Sequence, residues 1–355
     1  MRTISELIDQ ERIVEKGPGT VLLKGGPGQK SRPKGQEWQG SRAAGPSFPL
    51  QNCRVHLLAL GDVGGTVLLG LRLLGGLPPA GPAGGKPLIE RIGIFDLDPR
   101  QMRRYEREIN QIRFPDGRQL PRVDILEEQD LFDCDVFVFC ASKGVPPVGS
   151  GGDVRMAQLE ANRQLIGLYG KKAAAAGFTG LFAVVSDPVD PLCKAAVLAG
   201  LDAFQVQGYG LGVMNARAAY FAQRQPEFAS YLTEGRVFGP HGADLVVADS
   251  LAHYDDRLSR ELTRLTINSN METRADGFKP YLAPAISSGA IAITETLAGR
   301  WNDSSVYLGA KGRGAFLGCR NRRQGRDILL EDRPMPEALF ARIRQAYENL
   351  EALGL

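Results

Sequence analysis

The sequence predicts an α/β protein, a doubly wound parallel sheet followed by an α+β second domain. Three observations carry this. The apolar run Val55-His56-Leu57-Leu58-Ala59-Leu60 enters a glycine turn, Gly61-Asp62-Val63-Gly64-Gly65, after which the apolar period shifts toward that of a helix. Between residues 88 and 186, short runs apolar on both faces alternate with helical patterns, as in a parallel sheet covered on both sides. Beyond about residue 207 the texture becomes mixed. The expected organisation is a Gly/Pro/basic N-terminal extension over 1–50, a nucleotide-binding domain over 51–207 and a substrate domain over 208–355.

In chain order, residues 4–14 read as a short helix. Residues 16–49, rich in Gly, Pro, Lys, Arg and Ser, read as a solvated arm or a loop on the body. After the glycine-turn helix, residues 78–87 (PPAGPAGGKP) read as a linker. A strand over 88–97 ends at Asp96, a polar amphipathic helix covers 100–112, and 123–126 is a short strand. Residues 134–141 (CDVFVFCA) and 180–186 (GLFAVVS) are buried strands flanking a long helix over 154–176. In the second half, 213–223 and 255–269 read as helices, 236–238 and 245–248 as extended, 288–298 as an apolar helix, 314–318 as a strand, and 335–353 as a final amphipathic helix.

Composition narrows the function. Lys+Arg number 43 against 40 Asp+Glu, which gives no case for nucleic acid or a membrane surface as the main partner. Five scattered cysteines without a CxxC pair match reduced, mostly buried thiols. No apolar run is long enough for a membrane span, and the N-terminus lacks a signal-peptide core. The expected compartment is the cytoplasm, and no metal-ligand spacing is present.

A strand-to-helix glycine turn offers backbone amides at the positive end of a helix, where a pyrophosphate can approach. A carboxylate closing the next strand suits adenosine ribose hydroxyls and repels a 2′-phosphate. Asp96 fills that place, with the PPAGPAGGKP insert accounting for its long separation from Gly64. The expected cofactor is therefore NAD, held around Ala59, Gly61, Asp62, Val63, Gly64 and Asp96.

Four downstream segments resemble the lactate/malate dehydrogenase superfamily. Val184-Val185-Ser186-Asp187-Pro188-Val189-Asp190 is similar to its VxNPVD strand end, and Gly208 to Arg217 to its GxGxxLDxxR segment. Phe238-Gly239-Pro240-His241-Gly242-Ala243-Asp244 resembles its GxHGD turn, and Arg155, Leu159 and Asn162 its R-x(3)-L-x(2)-N helix start. Order and spacing fit over about residues 51–355. The resemblance implies a Rossmann domain, NAD with Asn162 in the cofactor set, a small 2-oxo or 2-hydroxy acid substrate, and a homodimer or homotetramer. It also implies His241 as the acid/base, Arg217 as the carboxylate clamp, and Arg155 as the polarising cation on a closing loop. His56 and His253 read as structural or exposed.

The chemistry agrees with those residue types. Hydride addition to a carbonyl leaves an alkoxide, so the site needs a proton donor near neutrality, which histidine supplies. An arginine grips a carboxylate through two parallel hydrogen bonds.

The pattern is broken in several places. Met214 stands where the family has the aspartate that orients the histidine, and Asp187 where it has the asparagine of NPVD. The pair suggests that Asp187 has become the carboxylate partner of His241; the competing reading is a catalytically impaired paralogue that binds NAD as a binding or assembly subunit. The glycine-rich loop 144–154 carries neither the second arginine of malate enzymes nor the glutamine common in lactate enzymes. Oxaloacetate is thus disfavoured, and a larger or less polar 2-oxo acid is expected, with a small apolar residue near Leu282 to Ala285 beside the nicotinamide. Ala59 replaces the first glycine of the turn, tolerable if its φ is negative and a weakened nucleotide grip if it is not.

Overall fold

In the computed structural model, residues 1–25, 45–76, 86–117, 119–143, 154–310 and 313–353 are described. The basic stretch 26–44, most of the PPAGPAGGKP linker (78–85) and the loop 144–153 lie outside them.

The parallel half of the sheet is built from β3 (Cys53–Leu58), β4 (Ile89–Phe95), β5 (Arg122–Ile125), β6 (Val136–Phe139), β7 (Leu181–Val184) and β8 (Val206–Gly208). Their spatial order is β8-β7-β6-β3-β4-β5, all pairs parallel. This half begins at β3, winds outward to β5, then returns to β6 on the other side of β3. Such a reversal opens a crevice at the carboxyl ends of β3 and β6, where doubly wound sheets bind nucleotides. Register makes that edge even: Leu58 pairs with both Phe95 and Phe139, so Ala59, Asp96 and Cys140 leave the sheet side by side.

Burial explains why these strands carry apolar residues on both faces. On one face α1 (Asp62–Gly75) and α9 (Ala292–Leu297) cover Val55, Leu57, Ile92, Ile94 and Val138. On the other, α3 (Val154–Ala175) and α4 (Val189–Leu198) cover Phe137, Phe139, Phe182 and Val184. On the α1 face α2 (Pro99–Asn110), capped by Asp98, packs against β4 and β5. His56 fits the structural reading: it is buried, and its Nδ1 lies 3.0 Å from the Leu131 carbonyl oxygen. His253 is exposed.

The second half adds α5 (Leu211–Ala222), α6 (Tyr231–Glu234), β9 (Arg236–Phe238), β10 (Val246–Ala248), α7 (Asp256–Asn268) and α8 (Met271–Ala275). It ends with β11 (Asn302–Ala310), β12 (Arg313–Gln324), β13 (Asp327–Glu331) and α10 (Glu337–Ala352). β11 joins the parallel half antiparallel to β8, through Ser305 and Gly208, and β12 and β13 continue the meander.

Three departures from the sequence reading have physical causes. Residues 4–14 form 3-10 turns (Ile4–Leu7, Gln10–Arg12), not one helix. The chain then runs into a hairpin, β1 (Ile13–Gly17) and β2 (Thr20–Leu23), where an arm is expected from residue 16. β2 pairs with β13 and buries Val21 and Leu23 completely; this pairing across the chain outweighs a weak local helix preference. The short strand expected at 314–318 is the long β12, with β11 and β13 unforeseen; on β11 and β12 several inward positions are polar. Asn302, Ser304, Asn321 and Arg323 are buried and bonded to Gln207 or to one another, which hides the strand period. Finally, the apolar helix expected over 288–298 is a π-helical turn, Pro284–Ile291, leading into α9.

Candidate functional site

The glycine turn after β3 is built by close approach. α1 starts at Asp62 after an N-cap, Gly61, whose helix start has no side-chain cap, so its first amides are left for a ligand or water. A Cβ at Gly64 would collide with the Ala59 carbonyl oxygen, whereas a Cβ at Gly61 would meet nothing within 4 Å. The turn is therefore packed on its inner side and open on its outer side, the form a phosphate cradle needs. Asp96 follows β4 and braces the same turn: its Oδ2 accepts from the Leu60 amide at 2.7 Å and its Oδ1 from Asp98 at 2.9 Å. Val63 is half-buried against the core beneath.

Ala59 has φ +76°. For an L-residue this is the left-handed region, disfavoured by about 1–2 kcal/mol, so the negative φ under which the alanine would be tolerated is not met.

The second cluster lies at the ends of β7, β8 and β9. Asp187 follows β7, and α5 begins beyond β8 with Met214 and Arg217 on successive turns. His241 sits in the turn after β9. Gly210 brings them together: a Cβ there would stand 2.9 Å from the Cβ of His241 and 2.9 Å from Val189 Cγ2. His241 Nδ1 lies 3.0 Å from Asp187 Oδ1, with the histidine side chain 15% and the aspartate 51% exposed. A carboxylate only accepts, so Nδ1 carries the proton and Nε2 is left for chemistry.

Met214 is buried, and its Sδ accepts from Arg217 Nη1 at 3.6 Å. A thioether adds no charge, so Arg217 loses basicity to burial while Asp187 nearby pulls the other way. The guanidinium, half-sunk beside a neutral sulfur, is thus drawn electrostatically to the carboxylate that also serves His241.

Three other expected residues are placed as follows. Asn162 is fully buried; its Oδ1 accepts from Lys143 N at 2.9 Å, and its Nδ2 donates to the Asp187 carbonyl oxygen at 2.8 Å. Its amide ties the loops after β6 and β7 together rather than facing a ligand. Arg155 lies in the first turn of α3. Leu282 is 63% exposed, whereas Ala285 in the same segment is fully buried in the core under α1.

Two residues escaped the sequence reading. Ser288 Oγ, in the π-helical turn, donates to the Gly210 carbonyl oxygen at 2.9 Å and accepts from the Val213 amide at 2.8 Å. It fixes the start of the helix that carries Met214 and Arg217, but lay within a segment read only as apolar. Asp190 sits inside a quoted motif that assigns it no role. It is fully buried, its Oδ1 lacks a hydrogen-bond partner among the described residues, and burial pushes its carboxyl up to about 6. Bonds toward Ser305 and the His241 backbone oppose that rise.

No metal-binding cluster of His, Cys, Asp or Glu occurs among the described residues, and none of their helices is long and apolar enough to cross a membrane. Burial raises the Cys140 thiol to about 12.

No protein-family model matches the chain. Curated relatives do: the L-lactate dehydrogenase of Staphylococcus haemolyticus is 25% identical over 188 residues, 53% of this chain and 57% of that protein. That of Corynebacterium jeikeium is 26% identical over 195 residues, 55% of each. The chain thus spans little more than half the length of these relatives. Among solved structures, a lactate dehydrogenase from a Medee basin deep-sea metagenome library superposes with TM-score 0.67 at 18% identity, over 85% of this chain and 98% of that one. The malate dehydrogenase of Archaeoglobus fulgidus in complex with NADH gives 0.66 at 17%, over 85% and 100%.

Proposed function

We propose that this chain, a divergent member of the lactate/malate dehydrogenase superfamily, binds NAD and interconverts a 2-hydroxy and a 2-oxo acid. NAD, when bound, supplies or accepts the hydride. The residues to hold it are Gly61, Asp62, Val63 and Gly64 at the turn and Asp96 at the ribose end; the uncapped helix start and the open face at Gly61 fit a pyrophosphate. Asn162 acts one step away, by holding the loops at the edge of this crevice.

The observation that carries the reading is the Asp187–His241 pair beside Arg217. In the reducing direction His241 Nε2 gives its proton to the oxygen that becomes the hydroxyl. Asp187 accepts from Nδ1–H and stabilises the imidazolium that waits for the next substrate, the service a carboxylate gives a catalytic histidine elsewhere. Arg217 grips the substrate carboxylate, and Arg155 polarises the carbonyl. Met214 contributes an apolar wall where the family has a charge. The substrate favoured is a 2-oxo monocarboxylic acid larger or less polar than oxaloacetate.

A panel of 2-oxo acids with NADH, followed by loss of absorbance at the reduced-nicotinamide band, tests this. Turnover of a monocarboxylic member, abolished in His241→Ala, is expected. Tight NADH binding with no turnover across the panel would favour a non-catalytic paralogue, and faster turnover of oxaloacetate than of every monocarboxylic acid would overturn the substrate assignment.

A further inference from the structure

The segment joining α8 to the π-helical turn reaches across to the dinucleotide turn. Its Lys279 donates through Nζ to Asp62 Oδ2 at 3.1 Å. Asp62 is the first residue of α1, a place where a carboxylate favours the helix by complementing its dipole. The same carboxylate opposes a diphosphate brought to those amides. Charge complementarity at this helix start is therefore incomplete without a cation, and Lys279 is held there.

The pair is too exposed to matter much to the fold, with side chains 83% and 51% accessible. Tyr105 of α2 closes the turn on another side, its hydroxyl set against Gly65 where a Cβ would collide. Three parts of the chain, α1, α2 and the 276–283 segment, thus converge on one small region whose open side is that of Gly61.

We infer that Lys279 is the cation that offsets Asp62 and positions the diphosphate of a bound dinucleotide. This rests on the dinucleotide reading above. The ammonium leaves the Asp62 carboxylate, or shares itself with the diphosphate, because a compact charge on a flexible stem reorients at little cost. The segment of Lys279 leads directly into the π-helical turn, whose Ser288 hydroxyl fixes the start of α5.

Calorimetric titration of the full chain with NADH, ADP-ribose and adenosine tests the assignment in wild type, Lys279→Met, Asp62→Asn and the double variant. At the separation of neighbouring charges in water the expected effects are about three- to fivefold. Lys279→Met weakens NADH and ADP-ribose by that factor, Asp62→Asn tightens both, the double variant returns near wild type, and adenosine, lacking the diphosphate, is unaffected. Raised salt diminishes the differences. Wild-type affinity for ADP-ribose in Lys279→Met, with an unchanged melting temperature, would overturn the Lys279 assignment alone. Failure of the wild type to bind NADH or ADP-ribose would overturn the dinucleotide reading and this inference with it.

Discussion

The two ends of the crevice are built by different means. The end proposed for the dinucleotide is mostly backbone: an uncapped helix start, a turn that admits no side chain at Gly64, and a carboxylate, Asp96, bonded to the Leu60 amide. The end proposed for the reaction is mostly side chain: Asp187, His241, Arg217 and Met214 meet from three separate loops and helices. A backbone site tolerates change in neighbouring side chains because amides and glycine contacts do the binding. A side-chain site changes charge with each substitution, and here two substitutions together keep one carboxylate on the histidine, delivered from β7 instead of α5.

Breaking the reaction end should have the largest effect. His241→Ala is expected to lower kcat by about 10²- to 10⁴-fold, the span of general acid–base catalysis, with the NADH Kd within about twofold of wild type. Loss of NADH binding to the same degree would mean that the two ends are not separable.

A smaller effect sharpens the exchange of carboxylates. In an Asp187→Asn background, Met214→Asp restores the charge from the family's position and should recover about tenfold or more of kcat. Its measurement is steady-state turnover in the two variants. A double variant no better than Asp187→Asn would show that α5 no longer points this position at the histidine.

Asp190 provides a stability counterpart beneath the same site. Its folded-state carboxyl, raised to about 6 by burial, lies above the ordinary aspartate value near 3.9. Stability from that group is present in full below about pH 4 and is lost as pH rises through 6, where the folded chain must ionise a buried acid. Asp190→Asn escapes the penalty. Its melting temperature relative to wild type should therefore rise between pH 4 and pH 7, by the equivalent of about 3 kcal/mol at most. A difference independent of pH would place the ionisation elsewhere.

The smallest effect belongs to the backbone end. Ala59→Gly relieves a left-handed alanine and should tighten NADH by up to about fivefold, about 1 kcal/mol, as read by titration. Weaker binding would show that the methyl group supports the turn.

How legible these features were depended on the range of the interactions. The parallel half could be read because its central strands, β6 and β7 above all, are locally apolar on both faces, and the glycine turn, Asp96 and the motif around His241 are local too. The N-terminal hairpin could not, since its place depends on β13 far away in sequence, and β11 and β12, though adjacent in sequence and paired to each other, were hidden by buried polar residues that mask the strand period. β2 is a strand because β13 is beside it, and Arg323 is inward because Gln207 receives it. Among site residues, the approach of Asp187 to His241 was foreseeable from a paired substitution. Asn162 was placed toward the cofactor by motif position, but its burial and bonds to Lys143 and Asp187 make it a brace. Lys279 left no signal, because an exposed lysine in a polar segment looks like any other until the fold sets it against Asp62.

The account turns on Asp187 serving His241. The most direct measurement is kcat/KM for the preferred 2-oxo acid in wild type and Asp187→Asn. Removing the carboxylate withdraws charge stabilisation from the imidazolium, so Asp187→Asn should lose about a hundredfold in kcat/KM. A rate indistinguishable from wild type would contradict the account.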